Sequence, residues 1–80
     1  MTLVVNILDI KEFKREENPN VLEKVRSSLH KQIIRLHNCG EQTANIAVDA
    51  CLNTIREFDL VMSNKRLEDL LSETIETALQ

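Results

Sequence analysis

The sequence predicts an all-α protein: an antiparallel hairpin of two helices over about residues 19–38 and 42–62, followed by a C-terminal helix over about 65–79, together a small helical bundle. Three observations predict it. Apolar residues recur at helical spacing through most of the chain, one Gly and one Pro in 80 residues are too few for the turns of an all-β fold, and 42% apolar with 29% charged residues is globular composition. A length of 80 residues supports one domain, with residues 1–16 readable as a semi-independent N-terminal segment.

The first long helix begins in the ENPN stretch. Either Asn18 caps it with Pro19 at the first helical position, or Asn20 caps it with Glu23 three residues on. Leu22, Val25, Leu29, Ile33 and Leu36 then lie within about 80° of one another at 100° per residue. Asn38-Cys39-Gly40 supplies the glycine that commonly ends a helix in the left-handed conformation.

The second helix carries Ala44, Val48, Cys51, Ile55, Phe58 and Met62, whose 4-3-4-3-4 spacing is that of a packed helical seam. Its connection to the first is so short that the two must fold back as a hairpin. Ala44, Ala47, Ala50 and Cys51 are small, so another element can approach the first half of this helix closely. After Ser63-Asn64, either of which is a plausible cap, Leu67, Leu70, Leu71, Ile75 and Ala78 give the third helix its apolar face. Lys65 and Arg66 at its start and Asp69, Glu73 and Glu76 further on oppose the helix dipole, so packing rather than propensity should hold it.

The N-terminal segment is ambiguous. Leu3, Val4, Val5, Ile7, Leu8 and Ile10 suit a strand, whereas Asp9-x-x-Glu12 resembles a helix start with Phe13 on the inner face. A lone strand needs a partner, and no second strand is evident. A short helix over about 9–16 behind an extended lead is therefore the favoured reading of the two.

Composition and charge narrow the function. Residues 1–40 carry seven Lys/Arg against five Asp/Glu, and residues 41–80 three against eight, for a net −3. An acidic total argues against general nucleic-acid binding, which draws its affinity from clustered cations on phosphates. No apolar run approaches the roughly 18 residues of a membrane span, so no membrane insertion is expected. The start of the chain lacks the basic and small-residue pattern of a secretory leader, and two cysteines are too few for a disulfide scaffold. A cytoplasmic, reduced protein is the expectation.

Chemistry-bearing residues do not assemble into a motif. His30, His37, Cys39 and Cys51 are zinc-ligand types, but the histidines are two turns apart and Cys51 falls in the seam, so no metal is expected. Cys39 follows a helix C-terminus, the negative end of the dipole and the wrong end for an activated thiolate. A Ser-His-acid set of Ser27 or Ser28, His30 and Glu23 occurs on any polar helix face. One glycine excludes a glycine-rich phosphate loop. No catalytic residue and no cofactor is assigned, and the chain is expected not to be an enzyme.

Two surface features remain. Ile34, Ile46 and Leu60 face away from the predicted seam and, with the apolar N-terminal segment, suggest a contact surface. Asp69, Glu73 and Glu76 form an acidic stripe, and Lys24, Lys31 and Arg35 a basic one. The sequence reading is a protein-binding regulator, inhibitor or adaptor acting through a helix face on a larger protein target, and self-associating as a dimer. Small acidic helical chains of this type are frequent among bacterial and phage regulators. The alternative is a dimeric nucleic-acid-associated regulator placing Lys24, Lys31 and Arg35 on phosphates.

Overall fold

The computed structural model describes residues 3–16, 18–57 and 63–80, and among these every regular element is helical. The order is α1 (Ile7–Glu16), α2 (Pro19–His37), α3 (Glu41–Glu57) and α4 (Asn64–Ala78). The predicted all-α bundle is the observed architecture, with the N-terminal segment contributing a fourth helix.

The caps explain where each helix starts. Asn18 is the N-cap of α2, its side chain accepting from the Asn20 amide at 2.9 Å, with Pro19 in the first turn where a missing N–H loses nothing. Ser63 caps α4, its Oγ accepting from the Arg66 amide at 3.3 Å. For α1 the cap is Asn6, whose Oδ1 accepts from the Leu8 amide at 3.0 Å while its carbonyl accepts from Ile10 at 3.1 Å. That cap starts the helix two residues before the expected position at Asp9, because Asn6 bonds two turn amides at once.

The α2–α3 corner corrects the sequence reading. Asn38, not Gly40, takes the left-handed conformation, with φ 50° and ψ 48°. Gly40 has no positive φ, and its carbonyl accepts from the Ala44 amide at 3.0 Å, so it opens α3 rather than closing α2. Asparagine tolerates the left-handed region better than other side-chain-bearing residues, which leaves the glycine free for the next helix.

The hairpin packs as expected, and α3 lies against α1, α2 and α4. Its buried residues are Ala44, Ala47, Val48, Cys51, Leu52 and Ile55, a wider band than the predicted seam because neighbours cover it on both sides. The small residues of its first half permit a close approach, and Cys51 Sγ lies 4.0 Å from the Leu71 carbonyl of α4. The seam positions Phe58 and Met62, and the continuation of this helix over 58–62, lie outside the described residues.

On α2, Val21, Val25, Leu29 and Ile33 are buried, while Leu22 and Leu36 are half-buried against the core. Val21 replaces Leu22 because α1 packs on that flank and brings Ile10 and Phe13 into the core. The α4 face of Leu67, Leu71 and Ile75 is at most 1% exposed. Burying three such side chains contributes ~1.5–3 kcal/mol each, which exceeds the ~0.3–1 kcal/mol of each misplaced exposed charge on this helix.

The lead into α1 is also largely core. Leu3 and Val5 are buried while Val4 and Asn6 are exposed, the period-two alternation of an extended run. The expectation that the Leu3–Ile10 segment forms exposed apolar surface is therefore corrected: Leu3, Val5 and Ile10 point inward, and only Val4 and Leu8 among them are strongly exposed.

Candidate protein-binding surface

A groove of about 460 Å³ runs along the junction of α3 and α4, lined by Ala50, Leu70, Glu73, Thr74, Thr77 and Ala78. It arises because α3 presents a small residue, Ala50, where α4 presents Thr74, Thr77 and Ala78. None of these fills the space between two helix axes.

The threonines make this groove less polar than its composition suggests. Thr54 Oγ1 donates to the Ala50 carbonyl at 3.0 Å, Thr74 Oγ1 to Leu70 at 2.9 Å, and Thr77 Oγ1 to Glu73 at 3.0 Å. Each hydroxyl is bonded to the carbonyl one turn back, which leaves the methyl group for a neighbour. Sequence reasoning missed these three residues, since a threonine at a helix surface reads as polar until its hydroxyl partner is known.

Ile46 stands one turn before Ala50 on α3 and is 63% exposed, so it extends the apolar character of the groove toward the start of that helix. Glu73 lines the opposite wall, and Asp69 and Glu76 are exposed on the same helix. From Leu67 to the end of the chain α4 carries carboxylates and no cation.

The other residues singled out from sequence fall elsewhere. Ile34 is half-buried and packs against the core, which corrects its placement on an exposed surface: α2 is flanked on more sides than a two-helix hairpin implies. Leu60 lies outside the described residues. Lys24, Lys31 and Arg35 are exposed on α2, but Lys24 Nζ is 3.4 Å from Asp9 Oδ1, so the basic stripe is partly neutralised by α1. Arg26 and Asp49, 2.9 Å apart, tie α2 to α3 on this side of the molecule.

His30, Ser27 and Glu23 share a shallow cleft with Arg26, Glu41 and Asn45 between α2 and α3. Nucleophilic catalysis requires a base within hydrogen-bond reach of the nucleophile, and no bond joins Ser27 to His30; Ser28 instead accepts from Gln32 Nε2 at 3.2 Å. A second cleft, of about 330 Å³, brings His37 of α2 beside Leu3 and the Lys65, Glu68, Asp69, Ser72 and Glu76 side chains of α4. Among the described residues no group of three or more His, Cys, Asp or Glu side chains is arranged to hold a metal ion.

Both thiols are free. Burial pushes the Cys51 thiol up to about 12, because its anion would have no solvent and no cation beside it. Cys39 is half-buried at the α2–α3 corner, its Sγ 3.9 Å from the Ile33 carbonyl. No described helix is long and apolar enough to cross a membrane.

No protein-family model, curated protein or solved structure matches this chain.

Proposed function

We propose that this protein works by binding another protein through the outer face of α3 and α4, as a regulator, inhibitor or adaptor rather than as a catalyst. The observation that supports this reading best is the groove between those helices with Ile46 exposed beside it. A β-branched aliphatic side chain left 63% exposed next to a concave, methyl-lined surface offers both an anchor and a place for the partner's anchor.

Self-association belongs to the same reading. Val4 and Leu8, 62% and 71% exposed, give the start of the chain a second apolar patch, suited to a twofold contact between copies in the cytoplasm.

The experiment is site-specific photo-crosslinking of the full chain in its native cell. A photoreactive residue at Asn53, exposed on α3 one turn after Ala50, should give a discrete adduct with another protein. The same residue at Lys31, on α2, should not. Equal yields at both positions, or none at Asn53, would remove the support for this face.

A further inference from the structure

We infer that the α3–α4 groove receives a basic amphipathic helix from the partner, an assignment that rests on the protein-binding reading above and narrows it to one class of ligand. The first argument is backbone satisfaction. An extended peptide needs donors and acceptors from its host, usually a sheet edge, and the described elements are all helices whose amides and carbonyls are bonded internally. The hydroxyls of Thr74 and Thr77, the remaining polar candidates in the groove besides Glu73, already bond their own helix. A ligand there must satisfy its own backbone, and a helix does.

The second argument is size. Leu70 to Thr77 spans two turns of α4, about 10 Å of groove at 1.5 Å per residue, with Ala50 on the facing helix and Ile46 exposed one turn before it. Two or three turns of a helix with apolar residues at i, i+3 or i+4, and i+7 match this length. The short side chains of Ala50, Thr74 and Ala78 let such a helix lie close, where longer ones would hold it off.

Charge selects the sign of the ligand's flanks. Glu73 is the charged residue that lines the groove, and α4 has no cation after Arg66; Asp69 and Glu76 line the His37 cleft instead. On α3 the exposed acidic residues are Glu41, Asp49 and Glu57; Asp49 pairs with Arg26 of α2, whereas Glu57 stands two turns after Ala50 on the same face, and the cation Arg56 lies with its guanidinium 5.4 Å from the Phe13 ring, on the α1 side. Lysines or arginines flanking the ligand's apolar stripe would meet Glu73 on the α4 side and Glu57 on the α3 side.

The same charges disfavour the other occupants. A twofold contact of groove on groove would bring two copies of Glu73 into one interface with no cation lining it. The α2 helix of a second copy has Lys31 and Arg35 but no free anchor, since Ile34 packs into its own core. Nucleic acid would bring phosphates to Glu73 in a groove that no cation lines.

The test uses three fluorescein-labelled synthetic helices of about 18 residues. One carries leucines at the anchor positions with lysine flanks, one replaces the leucines with serine, and one replaces the lysines with glutamate. Fluorescence anisotropy with the full chain, at low and at physiological salt, should show binding of the first alone, weakening as salt rises. Ile46→Asp should weaken it ~10-fold or more, and Glu73→Lys several-fold with a flatter salt dependence. Both positions are exposed, and unchanged helical circular dichroism verifies that each variant is folded. Equal binding of the serine or the glutamate peptide, or indifference to Ile46→Asp, would overturn the assignment. If all three peptides fail while the Asn53 crosslink persists, the basic-helix ligand is overturned and the protein-binding face survives; loss of the crosslink as well removes both.

Discussion

Gln32 pairs with the backbone of Val4 in both directions: the Val4 amide donates to Oε1 at 2.8 Å, and Nε2 donates to the Val4 carbonyl at 2.7 Å. A side-chain carboxamide carries the same donor and acceptor as a peptide unit, so Gln32 supplies what a neighbouring strand would. Glu68 completes the arrangement by accepting from the Val5 amide at 3.1 Å. The lead is thereby held between α2 and α4, with Leu3 and Val5 turned inward.

Removing this pair should loosen the lead without unfolding the bundle. Gln32→Ala is expected to lower stability by ~1–2 kcal/mol, because two modest hydrogen bonds are lost at a solvent-accessible site. Gln32→Glu can accept from the Val4 amide but not donate to its carbonyl, and should fall between. Chemical denaturation measures the loss, and faster hydrogen exchange confined to Val4 and Val5 would locate it.

At the α2–α3 corner, the left-handed residue and the glycine should respond in opposite ways. Asn38→Ala forces a β-carbon into φ 50° without asparagine's local hydrogen bonding and should cost about 1 kcal/mol. Gly40→Ala meets no atom within 4 Å and no positive φ, so it should stay within ~0.5 kcal/mol of the parent. Thermal melts of the two variants decide the matter, and a larger loss at Gly40 would contradict the observed corner.

Phe13 is 1% exposed and closes the core under Arg56. Phe13→Ala should destabilise by ~3–5 kcal/mol, a large part of the stability of so small a domain. A melt unchanged by this substitution would show that α1 does not pack as described.

The two thiols should differ in reactivity and pH response. Cys51 is held protonated up to about 12 in the folded state, against an ordinary 9.0. Its folded value is the raised one, so its contribution to stability is fully present below pH 9 and declines as pH rises from 9 towards 12. With no tyrosine in the chain to ionise in that window, Cys51→Ala should flatten the fall in melting temperature above pH 9. In a thiol-reagent assay at neutral pH, Cys39 should react in the native protein and Cys51 only on the timescale of global unfolding.

Local periodicity and capping chemistry, both written into short stretches of sequence, determined the three longer helices, the α2–α3 hairpin and the close approach at Cys51, and narrowed the caps of α2 and α4 to the pairs Asn18 or Asn20 and Ser63 or Asn64, from which the structure takes Asn18 and Ser63. These depend on residues a few positions apart, and 3.6-residue geometry relates such neighbours without knowledge of the fold. What only the tertiary structure decided involves distant pairs. Val4 meets Gln32 across 28 positions and Val5 meets Glu68 across 63, which turned an apparently exposed apolar lead into core. Packing of α1 on α2 exchanged Leu22 for Val21 in the core, and Ile34, outward on a two-helix wheel, became half-buried once other elements surrounded α2. The groove beside Ile46 depends on both levels: Ala50, Thr74 and Ala78 are visible as small residues, but a concave surface forms only where two helices bring them together, and the threonines become apolar only when their hydroxyls bond the turn behind. Burial is a property of everything that surrounds a side chain, and one helix's periodicity records only which residues share a face.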